Sequence, residues 1–456
     1  MSYFCTSFSF RKLYNYKTLK AHIQFLFCII VCILLGLNNV KAQLVDQNIP
    51  LDTVQQPKTL KQNQIQQIDS LYDVVDAFKA INPIKNKNKE NFSKKRSPIS
   101  YLPNINYNPS IGFQIGVKAV GGVYFGDKKN TSMSVFATAL NYTTKGIAVG
   151  YLFHDTYTKE NNWNLKGSLH IAKMVGLDYG IGLGMPLENL TDEEQILNNP
   201  ERIRYVNNYT VYGFSERIYK QLTDNLFLGA GIYIDLKRNI KTLGDFENTP
   251  LDVYSDRKGY NPHMNNNNGL MLNVQYMTRD NPNNAYKGIY SDIVLRANQT
   301  WLGSSQEGFQ LLTDFRKYWQ LSNYRPNHVL AFWHYGSFNV GGDQGYLDLP
   351  GTGKDPYARS GRGYTNGYFR GKSFAYTEIE YRFPILRNQF LSGVVFANMQ
   401  TIDDEIGSKL FRQWQPAGGA GLRILFNKLT RTNLCIDYAF GKFGQKGLFL
   451  GLNEAF

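Results

Sequence analysis

Histidine, cysteine and paired carboxylates are the side chains that most often carry catalysis or hold metals, and in this sequence they are spaced for neither. Beyond residue 42 the histidines are His154, His170, His263, His328 and His334, and none stands in a ligand spacing such as H-E-x-x-H. His154-Asp155 sets an imidazole beside a carboxylate, but its surroundings read as the end of a strand with a polar loop. No G-x-S-x-G elbow and no phosphate-cradling P-loop occurs. Cys5, Cys28 and Cys32 fall in the leader region, which leaves Cys435 alone, so the mature chain can form no internal disulfide and no cysteine metal cluster. No enzyme, catalytic residue, metal or cofactor is expected. The charged residues that do show a pattern alternate with apolar ones: Glu378, Glu380 and Arg382 in one segment, Asp437 in another.

That alternation points to the elements that position them. In 225–237, Leu226, Leu228, Ala230, Ile232, Ile234 and Leu236 share one face, and Asn225, Gly229, Gly231, Tyr233, Asp235 and Lys237 share the other. In 374–383, Ala375, Ile379, Tyr381 and Phe383 oppose Glu378, Glu380 and Arg382. In 433–441, Leu434, Ile436, Tyr438 and Phe440 oppose Asn433, Asp437 and Gly441. Each segment has one lipid-compatible face and one wet face, as the wall of a membrane barrel must. A soluble sandwich alternates too, but its buried face meets a second sheet and its strands are usually shorter.

Short polar breaks at 126–130, 159–162 and 279–284 contrast with longer irregular stretches near 187–202, 242–268 and 342–361. Short turns on one side and long loops on the other are the pattern of outer-membrane barrels. A closed barrel also leaves no unpaired backbone edge in lipid. Gly418-Gly419 and Gly229-Ala230-Gly231 suit tight wall curvature better than a phosphate cradle. About 15 strands are recognisable, and the even-number rule makes 16 the best estimate. The fold class expected over 101–456 is an all-β, transmembrane antiparallel β-barrel.

Composition agrees. The 31 Tyr and 29 Phe favour strands and membrane-interface girdles, whereas a soluble enzyme of this length usually carries more Leu and Ala. Beyond the leader no apolar run is long enough for a spanning helix. The net charge of +14 falls to nearer +9 without residues 1–42, which hold five basic residues and no acid. The remaining basic residues are scattered and lack a binding motif, so anionic lipid headgroups suit them better than nucleic acid.

Residues 23–37 are almost wholly apolar, follow a basic stretch and precede Val40-Lys41-Ala42, which predicts a secretory signal peptide over 1–42 cut before Gln43. Residues 43–100 differ in texture, rich in Gln, Asn and Lys. Within them Ile65, Ile68, Leu71, Tyr72, Val75, Phe78 and Ile81 recur at helical spacing, predicting a short amphipathic periplasmic helix. That helix either docks on a partner or tucks into the barrel mouth, or it packs on the rim. Residues 85–96 read as a solvated basic tether. At the other end Leu448, Leu450 and Leu452 alternate toward the terminal Phe456. Such an ending serves as an assembly signal when machinery reads the last strand by edge pairing.

Several segments resemble the BamA/TamA-type bacterial surface antigen family. Tyr276-Met277-Thr278-Arg279-Asp280-Asn281-Pro282 with Lys287-Gly288-Ile289-Tyr290 is similar to the family's D-x-R-D-N-x…P-x-K-G hairpin, with Met277 and Thr278 departing from its first acidic residue. Gly361-Arg362-Gly363-Tyr364 resembles its R-G-[FY] motif, carried on a loop that folds back into the barrel. Residues 378–385, 393–398, 417–424, 437–441 and 454–456 resemble the strands that follow and the C-terminal end. The likeness runs in order over 270–456 and is weaker over 101–270.

The resemblance implies a 16-stranded outer-membrane barrel that inserts or translocates proteins. An arginine on an inward loop stays charged and needs carboxylates, so Arg362 is expected to anchor its loop on one or more of Glu378, Glu380 and Asp437. Family members that insert proteins carry periplasmic POTRA domains, and residues 43–100 are too few for one. The expected partners are outer-membrane lipid and lipopolysaccharide, the assembly machinery and nascent outer-membrane proteins. An insertase would template an incoming strand at a weak seam, for which 111–124, rich in Gly116, Gly121 and Gly122, is the expected first strand. The alternative is a passive pore, surface antigen or structural barrel.

Overall fold

The computed structural model describes residues 71–81 and 99–456, except 128–129, 133, 185–186, 357 and 429–430. The leader expected over 1–42, the early part of the expected helix (Ile65 and Ile68) and the tether 85–96 lie outside the described residues. No helix among the described residues is long and apolar enough to cross a membrane.

One antiparallel sheet forms the wall. Its strands are β1 (Ile99–Asn108), β2 (Gly112–Val123), β3 (Ser134–Thr143), β4 (Ala148–Tyr157), β5 (Trp163–Asp178) and β6 (Tyr205–Thr223). They continue as β7 (Leu226–Thr242), β8 (Asn265–Asn266), β9 (Gly269–Met277), β10 (Gly288–Asn298), β11 (Gly308–Gln320) and β12 (Val329–Gly342). The last are β13 (Ser373–Pro384), β14 (Leu391–Asp403), β15 (Gln415–Asn427), β16 (Thr432–Gly441) and β17 (Lys446–Leu452). β8 and β9 both pair with β7, so they are two pieces of one wall strand, and the barrel has 16 strands. β1 returns to β17 and closes it.

The closure is narrow. β1 and β17 share one residue pair, Tyr107↔Leu450, whereas β1 pairs with β2 along its whole length from Ile99↔Gly121 to Asn108↔Gly112. The expected first strand is thereby corrected: the Gly-rich segment 112–123 is the second strand, and Ile99–Asn108 precedes it. Pro103 breaks the segment, and only Ile105 and Tyr107 mark an apolar face against Asn104, Asn106 and Asn108, so the strand signal there is short. Proline cannot donate to a ladder and is tolerated where pairing stops, which suits a strand so lightly bound to its other neighbour.

The outer face follows the alternation read from the sequence. Leu228 and Ile379 are exposed, while Tyr233, Lys237, Glu378 and Glu380 are buried inside. Along β6 the outward positions run Lys220, Ile218, Glu216, Phe214, Tyr212 and Thr210. Trp163 stands opposite Lys220 at one end, and Lys173 and Arg238 stand opposite Thr210 at the other. At about 3.3 Å per residue and a tilt of about 40°, these boundary rows lie about 25 Å apart, the height of a lipid-facing apolar band.

On the side expected to face the periplasm the strands turn tightly. A helix, α1 (Val74–Ile81), sits there against two turns: Tyr72 N–H donates to Asn388 O (3.2 Å), and Lys428 Nζ pairs with Asp76 (2.7 Å). On the opposite side the loops 179–204, 243–264 and 343–372 carry α2 (Asp192–Asn198) and α3 (Pro250–Lys258). Thr191 and Glu194 form a capping box on α2, and Thr249 caps α3 ahead of Pro250. Ile181, Leu197, Tyr254, Tyr346 and Leu349 pack between these loops as a buried cap.

Candidate functional site

The lumen chemistry begins with strand parity. Because β13 points every second residue inward, Glu378, Glu380 and Arg382 stack in one column. Parity on β15 and β16 adds Arg423 and Asp437. All five are buried. So many buried charges are tolerated only when paired.

The pairing partner arrives on the loop 343–372. Gly361 (φ +81°) and Gly363 (φ +101°) take backbone conformations that side chains disfavour, and they hold Arg362 between them. A Cβ at Gly363 would lie 2.8 Å from Ala417 Cβ and 3.0 Å from Phe440 O, so the loop lies flat on the wall only as glycine. Tyr364 Oη donates to Pro416 O (2.7 Å) and accepts from Lys442 N–H (3.0 Å), fixing the other side of the motif.

Arg362 meets all three carboxylates proposed for it. Its Nη1 donates to Asp437 Oδ2 (2.7 Å), its Nε to Glu378 Oε2 (3.3 Å), and its Nη2 to both Glu378 and Glu380. Its guanidinium also lies over the Phe396 ring, 3.7 Å from the centroid. The carboxylates are held in turn. Asn398 Nδ2 donates to Glu378 (3.3 Å) and to Arg362 O (3.0 Å), and Tyr376 Oη donates to Glu378. Arg423 Nη1 donates to Asp437 Oδ1 (2.5 Å), and Arg382 Nε donates to Glu380 Oε2 (2.8 Å).

Beyond these expected residues the cluster takes in the C-terminus. Arg423 Nε donates to Glu454 Oε2 (2.7 Å), and Asn433 Nδ2 to Glu454 Oε1 (2.7 Å). Arg359, on the same loop as Arg362, donates to Leu452 O (3.3 Å) and to Glu454 O. Phe456 is buried, its ring 5.3 Å from Trp333 and 6.2 Å from Tyr318 by centroids. This corrects the expected C-terminal pattern. Leu448, Leu450 and Leu452 lie on β17, but the strand ends at Leu452, Asn453 turns with φ +70°, and Phe456 enters the lumen instead of continuing the row. Asparagine tolerates that left-handed turn, and Glu454 has buried arginines to reach. A charged residue three from the end was the available signal.

The hairpin between β9 and β10, on the side of the tight turns, joins the same region. Asp280 Oδ1 accepts from Tyr286 N–H (2.9 Å), and its Oδ2 pairs with Arg431 Nη1 (2.6 Å) at the turn between β15 and β16. Tyr286 is buried in the core that holds Phe456 and Trp333. At the other end the loop 343–372 binds the cap. Tyr346 Oη donates to Asp178 Oδ1 (2.7 Å), Arg370 lies 3.5 Å from the same oxygen, and Lys237 pairs with Asp348 (2.5 Å). Lys354 is half-buried there, donating to Leu347 O (3.0 Å). Burial, then the charge of Arg370, pushes its pKa down to about 7.

The cluster pairs every one of its acids with an arginine. It ties a re-entrant loop, four wall strands and the chain terminus into one buried ionic network.

A barrel with this build has solved counterparts. BamA from Haemophilus ducreyi lacking POTRA domains 1–3 matches it with a TM-score of 0.53 at 13% identity, over 78% of this chain and 70% of that one. The likeness is one of fold. CdiB from Acinetobacter baumannii and CdiB from Escherichia coli match with TM-scores of 0.48 and 0.49 at 10% and 8% identity, over 78% of this chain. The chain spans 60% and 63% of those two proteins. No family model and no curated protein matches the sequence.

Proposed function

We propose that this chain is a bacterial outer-membrane barrel of the BamA/TamA type that assembles or translocates outer-membrane proteins at the seam between β1 and β17. The observation that carries this reading is the single pair Tyr107↔Leu450 at that seam, beside ladders of seven pairs or more on both flanks. A backbone hydrogen bond contributes roughly 1 kcal/mol net, so this is the cheapest place in the wall to part. The two edges exposed by parting would accept an incoming strand by β-augmentation. The sequence likeness over 270–456 and the Arg362 loop docked inside support the same reading. Its partners would be nascent outer-membrane proteins and the assembly machinery, in a membrane of phospholipid and lipopolysaccharide.

A second reading has its own support. The loop 343–372, the terminal tail and the loop cap fill the barrel from both sides, which favours a closed structural barrel or accessory subunit over a passive pore. Disulfide trapping separates the two. The single variants Tyr107→Cys and Leu450→Cys should capture cysteine-bearing strands of nascent outer-membrane proteins in cells if the seam is a template. The double variant Tyr107→Cys/Leu450→Cys can lock the seam by its own disulfide. Efficient locking with no captured strand, and unchanged outer-membrane protein levels in the locked state, would leave the structural reading.

A further inference from the structure

The outer face of the wall gathers cations at the level where the long loops begin. Lys173 of β5 stands opposite Thr210 of β6, and Thr210 stands opposite Arg238 of β7, so they share one row. They point outward, because their neighbours Ala172, Tyr209, Val211 and Lys237 are buried inside. One row further toward the loops, Lys241 stands opposite Asn208. Strict alternation from Arg238 would turn Lys241 inward. A bulge prevents that: between the pairs Thr210↔Arg238 and Asn208↔Lys241, β6 has one residue and β7 has two. Asn239 takes the extra place with φ +53°, a left-handed conformation that asparagine tolerates. Ile240 is then buried in the cap core, and Lys241 joins the cations on the outer face.

These cations have no acid to neutralise them. Lys173 and Lys241 are exposed, and neither meets a carboxylate among the described residues. Arg238 donates from Nη1 to neutral oxygens, Lys237 O (2.8 Å) and Asn266 Oδ1 (2.7 Å), which holds its guanidinium in place without spending its charge. The outward positions of β5 and β7 carry no acid. On β6 the one outward carboxylate, Glu216, lies about 20 Å along the strand from Thr210. Neighbouring strands are about 4.8 Å apart, so the backbones at Lys173 and Arg238 stand about 10 Å apart, within joint reach of two long side chains. Toward the middle of the wall the same face turns apolar, with Ile171, Tyr212, Phe214 and Ile218 exposed.

We infer that this patch binds a phosphorylated glycolipid of the lipopolysaccharide class, its phosphate oxygens between Lys173, Arg238 and Lys241 and its acyl chains along Ile171 and Tyr212. The cationic row lies about 25 Å from the Trp163–Lys220 row, at the edge of the apolar band on the side of the long loops. A ligand that meets both the cations and the apolar strip beside them is a lipid. Charge selects its class. A phosphomonoester carries about −1.5 to −2 at neutral pH and so answers more than one cation. A zwitterionic phospholipid brings a single phosphate charge and an ammonium that the cations repel. The site requires the barrel to span an outer membrane, as proposed above, but not the seam to open.

The test mixes the full chain, in mild detergent and freed of native lipid, with a diphosphorylated, acylated glucosamine disaccharide and counts retained lipid by native mass spectrometry. The same lipid without its phosphates, phosphatidylethanolamine and phosphatidylglycerol are the comparison probes, and inorganic phosphate is the competitor. The diphosphorylated lipid should be retained about tenfold more tightly than each comparison lipid. A basic residue beside an anionic headgroup is worth about fivefold in affinity, so Lys173→Gln/Lys241→Gln should weaken retention by about 25-fold. The control Lys220→Gln/Lys287→Gln, on the side of the tight turns, should leave it unchanged. Heat-modifiability on gels would establish that both variants are folded. Equal retention of the dephosphorylated lipid or of phosphatidylglycerol, displacement by an equal concentration of inorganic phosphate, or an equal loss in the control variant would each overturn the proposal. Insertion into phosphatidylcholine vesicles tests the membrane barrel separately. A chain that inserts without preferring the diphosphorylated lipid loses this site alone, and a chain that does not insert loses both.

Discussion

Arg382 donates from Nη2 to the main-chain oxygen of Phe456 at 3.0 Å while its Nε holds Glu380 at 2.8 Å. One guanidinium thus links the end of the chain to the acid that also receives Arg362. Loop, wall and terminus share their counter-charges, so a change in one should be felt in the others.

Arg362→Ala would leave Glu378, Glu380 and Asp437 short of their shared cation. Breaking a buried pair from one side costs about 3–5 kcal/mol. The variant should lose its heat-resistant folded band at lower temperature, and limited proteolysis should now cut within 343–372. Arg362→Lys keeps the charge but cannot reach three acids in a fork, so it should recover only part of the protection. Unchanged cleavage in Arg362→Ala would remove the anchoring role.

Phe456→Ala would empty the space beside Trp333 and Tyr318. Deleting a buried phenylalanine ring costs about 3–5 kcal/mol. After refolding in detergent, which bypasses cellular assembly, Trp333 fluorescence should shift to the red. With Tyr107→Cys and Leu450→Cys added to the same background, the two thiols should also react faster with a long bifunctional thiol reagent, because β17 has lost its terminal fixture. Equal rates with and without Phe456→Ala would mean that the tail does not steady the seam.

Gly363→Ala places a methyl against Ala417 and Phe440 at a φ that alanine avoids. Overpacking and backbone strain each cost about 1–3 kcal/mol. The expected outcome is selective exposure of the loop to protease with wall strands intact by circular dichroism.

Lys354 gives the cap a pH dependence. Its folded pKa is lowered to about 7 from 10.5, so between those values the unfolded loop binds the extra proton. Stability of the docked loop therefore rises with pH through that window, by at most about 1.4 kcal/mol per unit, and is flat below it. Hydrogen exchange in 343–372 should slow from about pH 7 to about pH 9.5 after correction for intrinsic rates. Lys354→Met should abolish that extra slowing.

Much of the wall was legible because its two faces meet different solvents, and a period of two records that difference at Glu378, Ile379, Glu380 and Tyr381. Arg362 was legible through its motif, and its acids through parity. Three features were not. β1 shows too little of the pattern, since Pro103 breaks it and the alternation after it is only five residues long. The tail after Leu452 is too short to show any period, so the inward turn at Asn453 left no trace except Glu454. Contacts such as Tyr346 with Asp178 join loops far apart in sequence, where spacing carries no information. His154 shows only Asp155 beside it in the sequence, and the register that brings Glu216 to it across Gly167 emerges only once strands pair.

The placement of Phe456 has a further consequence, for the order of events in making this barrel. A terminal aromatic can be shown to a receptor or packed against Trp333, but not both at once. Under the proposed function, Phe456 would be a label that the finished molecule hides, legible to assembly machinery only until the lumen fills. On that reading a completed barrel, its tail home, would no longer look like a client, and the path into the membrane would run one way.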